Sequence, residues 1–391
     1  MFPKGFLFST AEAAIKKPGR KDLALIYSGK EADMAGAFTT NKVKAAPVKL
    51  DMKRIKSGKG QAIVINSGNA NACTGEKGLE DAGNMASLVA DALKIKSSLV
   101  YVCSTGVIGT PMPMRRIRAK IPELARNLGA SSPEDVATAI MTTDTRPKIV
   151  KRSVKVGNKT GVIAGICKGA GMINPRMATM LCFILTDIAV DRKTLGNTLM
   201  DAVGKSFNRI TIDGDMSTND TVLMMANGML GNDAITERSA LYPGFRKALN
   251  EIALGLSALI VKDGEGATKF VEIEVKGAGS EADAQKAAFA VANSNLVKTA
   301  IYGNDANWGR IMAALGYSGA DIREEKTDIY FGKVHVVHKG TATGRDEKAA
   351  RVLKKNDIKI VIDLHIGGSA AKVLTCDLTE DYVRVNAEYR T

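Results

Sequence analysis

The sequence predicts an α+β fold, and two observations carry that expectation. Strand-like apolar runs and helical stripes are mixed along the chain, yet few long parallel β-α-β units occur, which argues against a doubly wound sheet. The chain is also long enough, at 391 residues, for two or more domains with substantial cores. Aromatic residues make up 5% of it and Trp308 is the sole tryptophan, so those cores must be aliphatic and methionine-rich.

Taken in order, Leu23 to Tyr27 reads as a strand, a polar turn follows, and Ala35 to Phe38 is apolar again. Ala62 to Ile65 is an unbroken apolar strand that empties into Asn66-Ser67-Gly68-Asn69-Ala70-Asn71-Ala72. This loop is either a tight turn or a place where backbone amides stand open to a ligand. Leu79 to Ile95 has helical spacing, with Ala82, Met85, Leu88, Val89 and Leu93 on one side. Leu99 to Val102 is a short strand running into Cys103-Ser104-Thr105-Gly106-Val107-Ile108-Gly109. Thr105 offers a hydroxyl and Gly106 an unshielded amide, the two kinds of donor an oxyanion hole requires; turn chemistry explains the same residues equally well.

Pro133 to Met141 reads as a helix capped by Ser132, delivering Thr142-Thr143-Asp144-Thr145, which can satisfy loop backbone groups. Ile149 to Val156 and Gly161 to Ile166 form a hairpin about Gly157-Asn158. It leads to the central stretch, Lys168 to Asp187, in which a lysine on a glycine-rich turn and Pro175 precede Met177-Ala178-Thr179-Met180-Leu181 and an apolar strand. A threonine at such a junction is ordinarily a β-branched strand residue. Its other reading is a nucleophile freed by cleavage of its own Ala178-Thr179 bond, because an α-amine titrates near neutrality and can deprotonate the hydroxyl.

Helices are expected at Arg192 to Phe207 and Tyr242 to Lys262, the latter with a stripe of Phe245, Leu249, Ile252, Ala253, Leu256 and Ile260. Between them Asp213-Gly214-Asp215 lacks the ligand spacing and closing glutamate of a calcium loop. Strand and helix then alternate: strands at Lys269 to Val275, Ile329 to Val337, Lys359 to Asp363 and Tyr382 to Asn386, helices at Glu281 to Ser294 and Trp308 to Leu315. There is no internal repeat, no P-loop and no complete dinucleotide fingerprint, which lowers the case for an ATPase or dehydrogenase.

Five scattered cysteines without a C-x-x-C pair argue for a reducing compartment rather than a disulfide framework. His335 and His338 lie three apart in a β-like stretch, so they are expected on opposite faces, and His365 stands alone; no metal is expected. The N-terminus lacks a signal-like apolar region and no run approaches a membrane span, which reads as a cytoplasmic protein without a membrane partner. The formal charge of +14 is dispersed and not interleaved with aromatics, so no nucleic-acid partner is expected.

Six ordered words add a resemblance: STGVIG from Ser104, TTDTRPK from Thr142, KGAGMINPRMATMLCFILTD from Lys168, DGEGATK from Asp263, GNDANWGRI from Gly303 and the terminal YVRVNAEYRT. They resemble the ornithine acetyltransferase family, also called glutamate N-acetyltransferase or ArgJ, from near the first residue to the last. The resemblance implies stacked α-β-β-α layers with a central strand starting at the nucleophile, residues 1–277, and a smaller α/β domain, 278–391, whose tail returns to the active site. It implies self-cleavage between Ala178 and Thr179 into chains 1–178 and 179–391 that stay together, two of each forming a heterotetramer. It implies that Thr179 carries an acetyl group from N2-acetylornithine to glutamate, that Thr105 and Gly106 form the oxyanion hole, and that one of Thr142 and Thr143, with Lys168, Glu265, Asn386 and Thr391, surrounds the substrate. No organic cofactor is implied; some members also take acetyl from acetyl-CoA, and no residue here decides that. The nearest alternative is a hydrolase of similar architecture, an aminopeptidase or amidase with a self-generated N-terminal nucleophile.

Overall fold

The computed structural model describes residues 2–174 and 180–388. The chain forms two compact units: one of residues 1–169, 176–208 and 216–260, the other of 170–175, 209–215 and 261–391.

The first unit contains strands β1 (Phe6–Ala11), β2 (Leu23–Phe38), β3 (Lys59–Asn69), β4 (Val100–Val107), β5 (Lys148–Val156), β6 (Lys159–Lys168), β7 (Leu181–Thr186) and β8 (Thr221–Ala226). Its helices are α1 (Ala46–Arg54), α2 (Gly75–Leu93), α3 (Met114–Arg126), α4 (Pro133–Ala139), α5 (Arg192–Lys205) and α6 (Tyr242–Lys262). The strand order is β4-β3-β2-β8-β7-β6-β5, with β1 added on β2. β2 is the hinge of this arrangement: Leu23 to Ser28 pair with β1, whereas Asp33 to Phe38 pair with β8. The polar turn expected between those halves is a register-shifted stretch of one continuous strand, because β3 pairs with β2 on both sides of it.

Alternation along the strands builds the layers. Ile63 and Ile65 of β3 share a core with Leu181, Phe183 and Leu185 of β7 and Leu223 and Met225 of β8. Their neighbours Ala62 and Val64 face the other way, against Met85 and Val89 of α2 and Ile117 and Ile121 of α3. On the opposite outer face a Cβ at Gly165 of β6 would stand 2.5 Å from Leu256 Cδ1, so glycine lets α6 lie directly on the sheet. The result is helix, sheet, sheet, helix, as the resemblance implied. Ser132 caps α4 with a reciprocal box: its hydroxyl accepts from Asp135 N–H at 3.1 Å, and the Asp135 carboxylate accepts from Ser132 N–H at 2.8 Å.

The second unit holds β9 (Phe270–Ala278), β10 (Asp328–Phe331), β11 (Val334–His338), β12 (Thr341–Ala342), β13 (Asp357–Asp363) and β14 (Ser369–Cys376), in the order β12-β11-β10-β13-β9-β14. Its helices are α7 (Glu281–Asn293), α8 (Asn295–Tyr302), α9 (Trp308–Gly316), α10 (Asp346–Leu353) and α11 (Glu380–Ala387). Val271, Ile273 and Val275 of β9 belong to the same core as Ala284, Ala287, Ala288 and Val291 of α7. Glu272 and Glu274 alternate with them and pair instead with Lys359 and Lys372. The boundary expected after Gly277 falls inside this unit, at the end of β9.

Three local expectations are corrected. Tyr382 to Asn386 is helical, in α11, where the Thr379 hydroxyl accepts from Tyr382 N–H at 3.3 Å as an N-cap. No residue of α11 is buried, so no apolar helical stripe marks it in the sequence. Ile329 to Val337 is a hairpin turning at Gly332, whose φ of +57° suits glycine. Within it Ile329 pairs with Val337 but Tyr330 pairs with His335, leaving Val336 as an extra, bulged residue. Val336 and Val337 are consequently both buried, and His335 and His338, expected on opposite faces, both approach Asp328.

The sheet-on-sheet core makes a direct prediction. Phe183 is fully buried between the layers, so Phe183→Ala should destabilise the protein by about 3–5 kcal/mol. Urea unfolding of the two proteins, at equal protein concentration, checks this.

Candidate active site

At one end of the first unit's sheet, register brings the expected residues together. Lys168, last in β6, pairs with Leu181, first in β7, which pairs in turn with Thr221, first in β8. The Lys168 side chain is buried, and its Nζ lies 2.8 Å from Thr142 Oγ1 and 3.4 Å from Thr105 Oγ1. Hydroxyls from the end of β4 and from the loop after α4 thus converge on one ammonium. Of the threonine pair, Thr142 makes this contact; Thr143 is half-buried beside it.

Asp144 holds the cluster in place. Its carboxylate accepts from Lys148 Nζ at 2.7 Å, Gly169 N–H at 2.6 Å and Thr142 N–H at 3.1 Å, with Lys168 Nζ 3.8 Å away. Burial alone raises the pKa of Asp144, but the Lys168 and Lys148 charges and these hydrogen bonds outweigh it and hold the carboxyl down at about 2. The sequence marked this aspartate only as a residue able to satisfy loop backbone, which it does for two amides. Its pairing with two buried lysines was not visible without the fold.

Gly106 adopts φ +136°, and a Cβ there would stand 2.2 Å from the carbonyl carbon of Gly68 and 2.4 Å from Asn69 N. The side chain is therefore excluded by backbone, which nothing flexible can relieve. The neighbouring Asn66 to Ala72 segment is not an open amide nest. Ser104 Oγ donates to Asn66 Oδ1 at 2.6 Å, Asn66 Nδ2 donates to Asn69 O at 2.8 Å, and Asn219 Nδ2 donates to Ala70 O and Ser104 O at 2.7 and 2.8 Å. These buried amides fix the backbone that carries Thr105 and Gly106.

Asp220 was missed by the sequence reading. It is fully buried, and its Oδ1 accepts from the N–H of Met180, the residue after Thr179, at 3.2 Å. Its Oδ2 has no hydrogen bond of ordinary geometry among the described residues. Burial pushes this carboxyl well above its ordinary range, opposed by the Met180 amide, the nearby Thr39 and Ser217 hydroxyls and the Lys168 charge. An acidic residue one position before an apolar strand was the available signal, but its nearness to β7 is a product of pairing.

In the second unit Asn386, on α11, donates from Nδ2 to Glu265 Oε2 at 2.8 Å and to Tyr382 O at 3.0 Å. The Glu265 amide donates to Ala170 O at 2.8 Å, and a Cβ on Gly171 would stand 2.4 Å from the Glu265 carboxyl carbon. Asp213, rejected as a calcium ligand, accepts from Met172 and Ile173 N–H at 2.6 and 2.9 Å and from Asp215 N–H at 3.1 Å. Burial and the neighbouring Asp213 and Glu265 carboxylates push the Tyr382 phenol pKa upward. Ala178, Thr179 and Thr391 lie outside the described residues.

Relatives agree with this layout in length and sequence. A Geobacter sulfurreducens protein named arginine biosynthesis bifunctional protein ArgJ is 56% identical over 99% of this chain and 99% of its own. One of the same name from Caldanaerobacter subterraneus subsp. tengcongensis is 52% identical over 100% of this chain and 98% of its own. The crystal structure of an arginine biosynthesis bifunctional protein ArgJ from Bacillus halodurans matches with 44% identity and a TM-score of 0.51, covering 52% of this chain and 97% of that one. The layered α+β fold and these relatives define an acyltransferase of arginine biosynthesis. The family model described as the ArgJ family matches residues 7–391, and the chain belongs to that family.

Two outcomes follow from the geometry. Asp144→Asn leaves buried ammoniums without their counter-charge and should cost roughly 3–5 kcal/mol in denaturant unfolding near neutral pH. Since the folded pKa of Asp144, about 2, lies below the unfolded value, its ionisation contributes stability above about pH 4 that is lost as pH falls through about 2. Over that interval the stability of Asp144→Asn should fall less steeply than that of the parent. Gly106→Ala should lower kcat for acetyl transfer at least about tenfold in steady-state assays, because the added methyl forces the β4 backbone at Thr105–Gly106 away from the β3 backbone at Gly68–Asn69.

Proposed function

We propose that the protein cuts itself before Thr179 and then moves acetyl groups from N2-acetylornithine to glutamate by a ping-pong route. The single observation that supports it best is the Lys168–Thr142–Thr105 cluster at the strand ends where Met180, next to Thr179, is held by Asp220. In the precursor Thr179 Oγ attacks the Ala178 carbonyl, the Ala178–Thr179 amide breaks to give an ester, and water releases residues 1–178 and 179–391. A relative's solved chain, covered over 97% of its length while spanning 52% of this one, has the size that such a cut leaves.

In the mature protein the Thr179 α-amine takes the hydroxyl proton as Oγ attacks the acetyl carbonyl. Thr105 and Gly106 donate to the tetrahedral oxyanion, and its collapse breaks the C–N bond, with the proton passing to departing ornithine. The glutamate amine then attacks the acetyl-threonine ester and leaves as N-acetylglutamate. Lys168 suits the α-carboxylate shared by both substrates, and Thr142 is the member of its pair placed to help. Glu265, Asn386 and Thr391 complete the substrate contacts in this reading, with Asn386 orienting the Glu265 carboxylate. No organic cofactor is required, and two copies of each chain assemble as a heterotetramer in the cytoplasm.

Mass spectrometry and kinetics test this together. Thr179→Ala should remain a single chain of 391 residues and transfer no acetyl. Thr105→Val should cleave yet lose about 10²–10³ in kcat, the usual effect of removing one oxyanion donor. Ornithine release from N2-acetylornithine should require glutamate for turnover; release at the same rate without it identifies a hydrolase instead.

A further inference from the structure

The three histidines of the chain converge on one carboxylate in the second unit. His338 Nδ1 lies 3.2 Å and His335 Nε2 3.6 Å from Asp328 Oδ1, and His365 Nε2 lies 3.1 Å from Asp328 Oδ2. The donor atoms of Asp328, His335 and His338 all fall within 4.8 Å of one another. Ligands about 2.0–2.1 Å from a tetrahedral Zn²⁺ stand roughly 3.3 Å apart, and the three donor atoms are near enough for small side-chain rotations to reach that spacing. We propose that Asp328, His335 and His338, with His365 orienting the carboxylate from its other oxygen, form a binding site for a divalent first-row transition metal of the Zn²⁺ type.

Local features support a ligand. His335 Nε2 is buried with no hydrogen-bond partner among the described residues, an arrangement that is costly unless something binds there. The bulge at Val336 turns His335 and His338 to one side, and bulges commonly re-aim side chains at sites. His365 is held at φ +48°, an uncommon backbone for a residue with a Cβ.

The surroundings orient the set. The Tyr330 ring stacks on His335 with centroids 4.2 Å apart, and Tyr330 OH donates to Asp328 Oδ2 at 3.4 Å. Lys339 N–H donates to Asp328 Oδ1 at 2.8 Å, and Asp363 Oδ1 lies 3.6 Å from His365 Nδ1, which holds His365 beside Asp328. Two imidazoles with one carboxylate suit Zn²⁺, Co²⁺, Ni²⁺ or Cu²⁺ over Mg²⁺ or Ca²⁺. Three protein ligands leave a fourth position for water, and the metal ties β10 to β11. His338 and His365 are about half-exposed, which leaves an entry path.

The test uses untagged, chelator-treated full-length protein titrated with Zn²⁺ by calorimetry and with Co²⁺ by visible absorption. One Zn²⁺ per chain, an intense tetrahedral Co²⁺ spectrum and a raised Tm are expected. His338→Gln, at an exposed position that tolerates the change, should weaken binding at least about tenfold, and His365→Gln likewise. Absence of saturable binding in the parent, or binding unchanged in both variants, overturns the site.

Discussion

The buried charge cluster around Asp144 is the interaction on which the rest of the first unit's site depends. One buried carboxylate with two ammoniums and two backbone amide donors must be satisfied completely or the site is expensive to form. Completing it fixes the Thr142 loop to Gly169, and hence to the end of β6. Lys168 is thereby aimed at Thr142 and Thr105 without help from solvent. The same arrangement explains why a positively charged group can be held at the dry end of an aliphatic sandwich.

Much of the fold was legible because its elements carry strong periodicity. The hairpin about Gly157, the helix from Tyr242 to Lys262 and the capped helix after Ser132 stand where their residues place them. What was lost depends on neighbours in space. The two halves of β2 read as separate strands because a register shift interrupts the pattern, and α11 read as a strand because it buries nothing. The bulge at Val336 reverses which residues share a side, and no single-strand periodicity reports a residue that its partner skips.

The candidate site was legible in part for the same reason. Thr105, Gly106, Thr142 and Lys168 lie in recognisable words, and pairing gathers them at one end of the sheet. Glu265 and Asn386 are hydrogen-bonded in the second unit, as words far apart in sequence would not reveal. Asp144 and Asp220 sat in plain view but gained meaning only from lysines and amides supplied by other strands.

β7 and β8 are inserted between β2 on one side and β6 on the other, and the backbone joins that pair to the earlier strands only through residues 169–180. A break in that connection therefore yields not a loose tail but a slab clamped along both long edges. Pulling the fragments apart means unzipping two ladders at once, so a nicked molecule should behave hydrodynamically as one body and come apart only when the whole sheet melts.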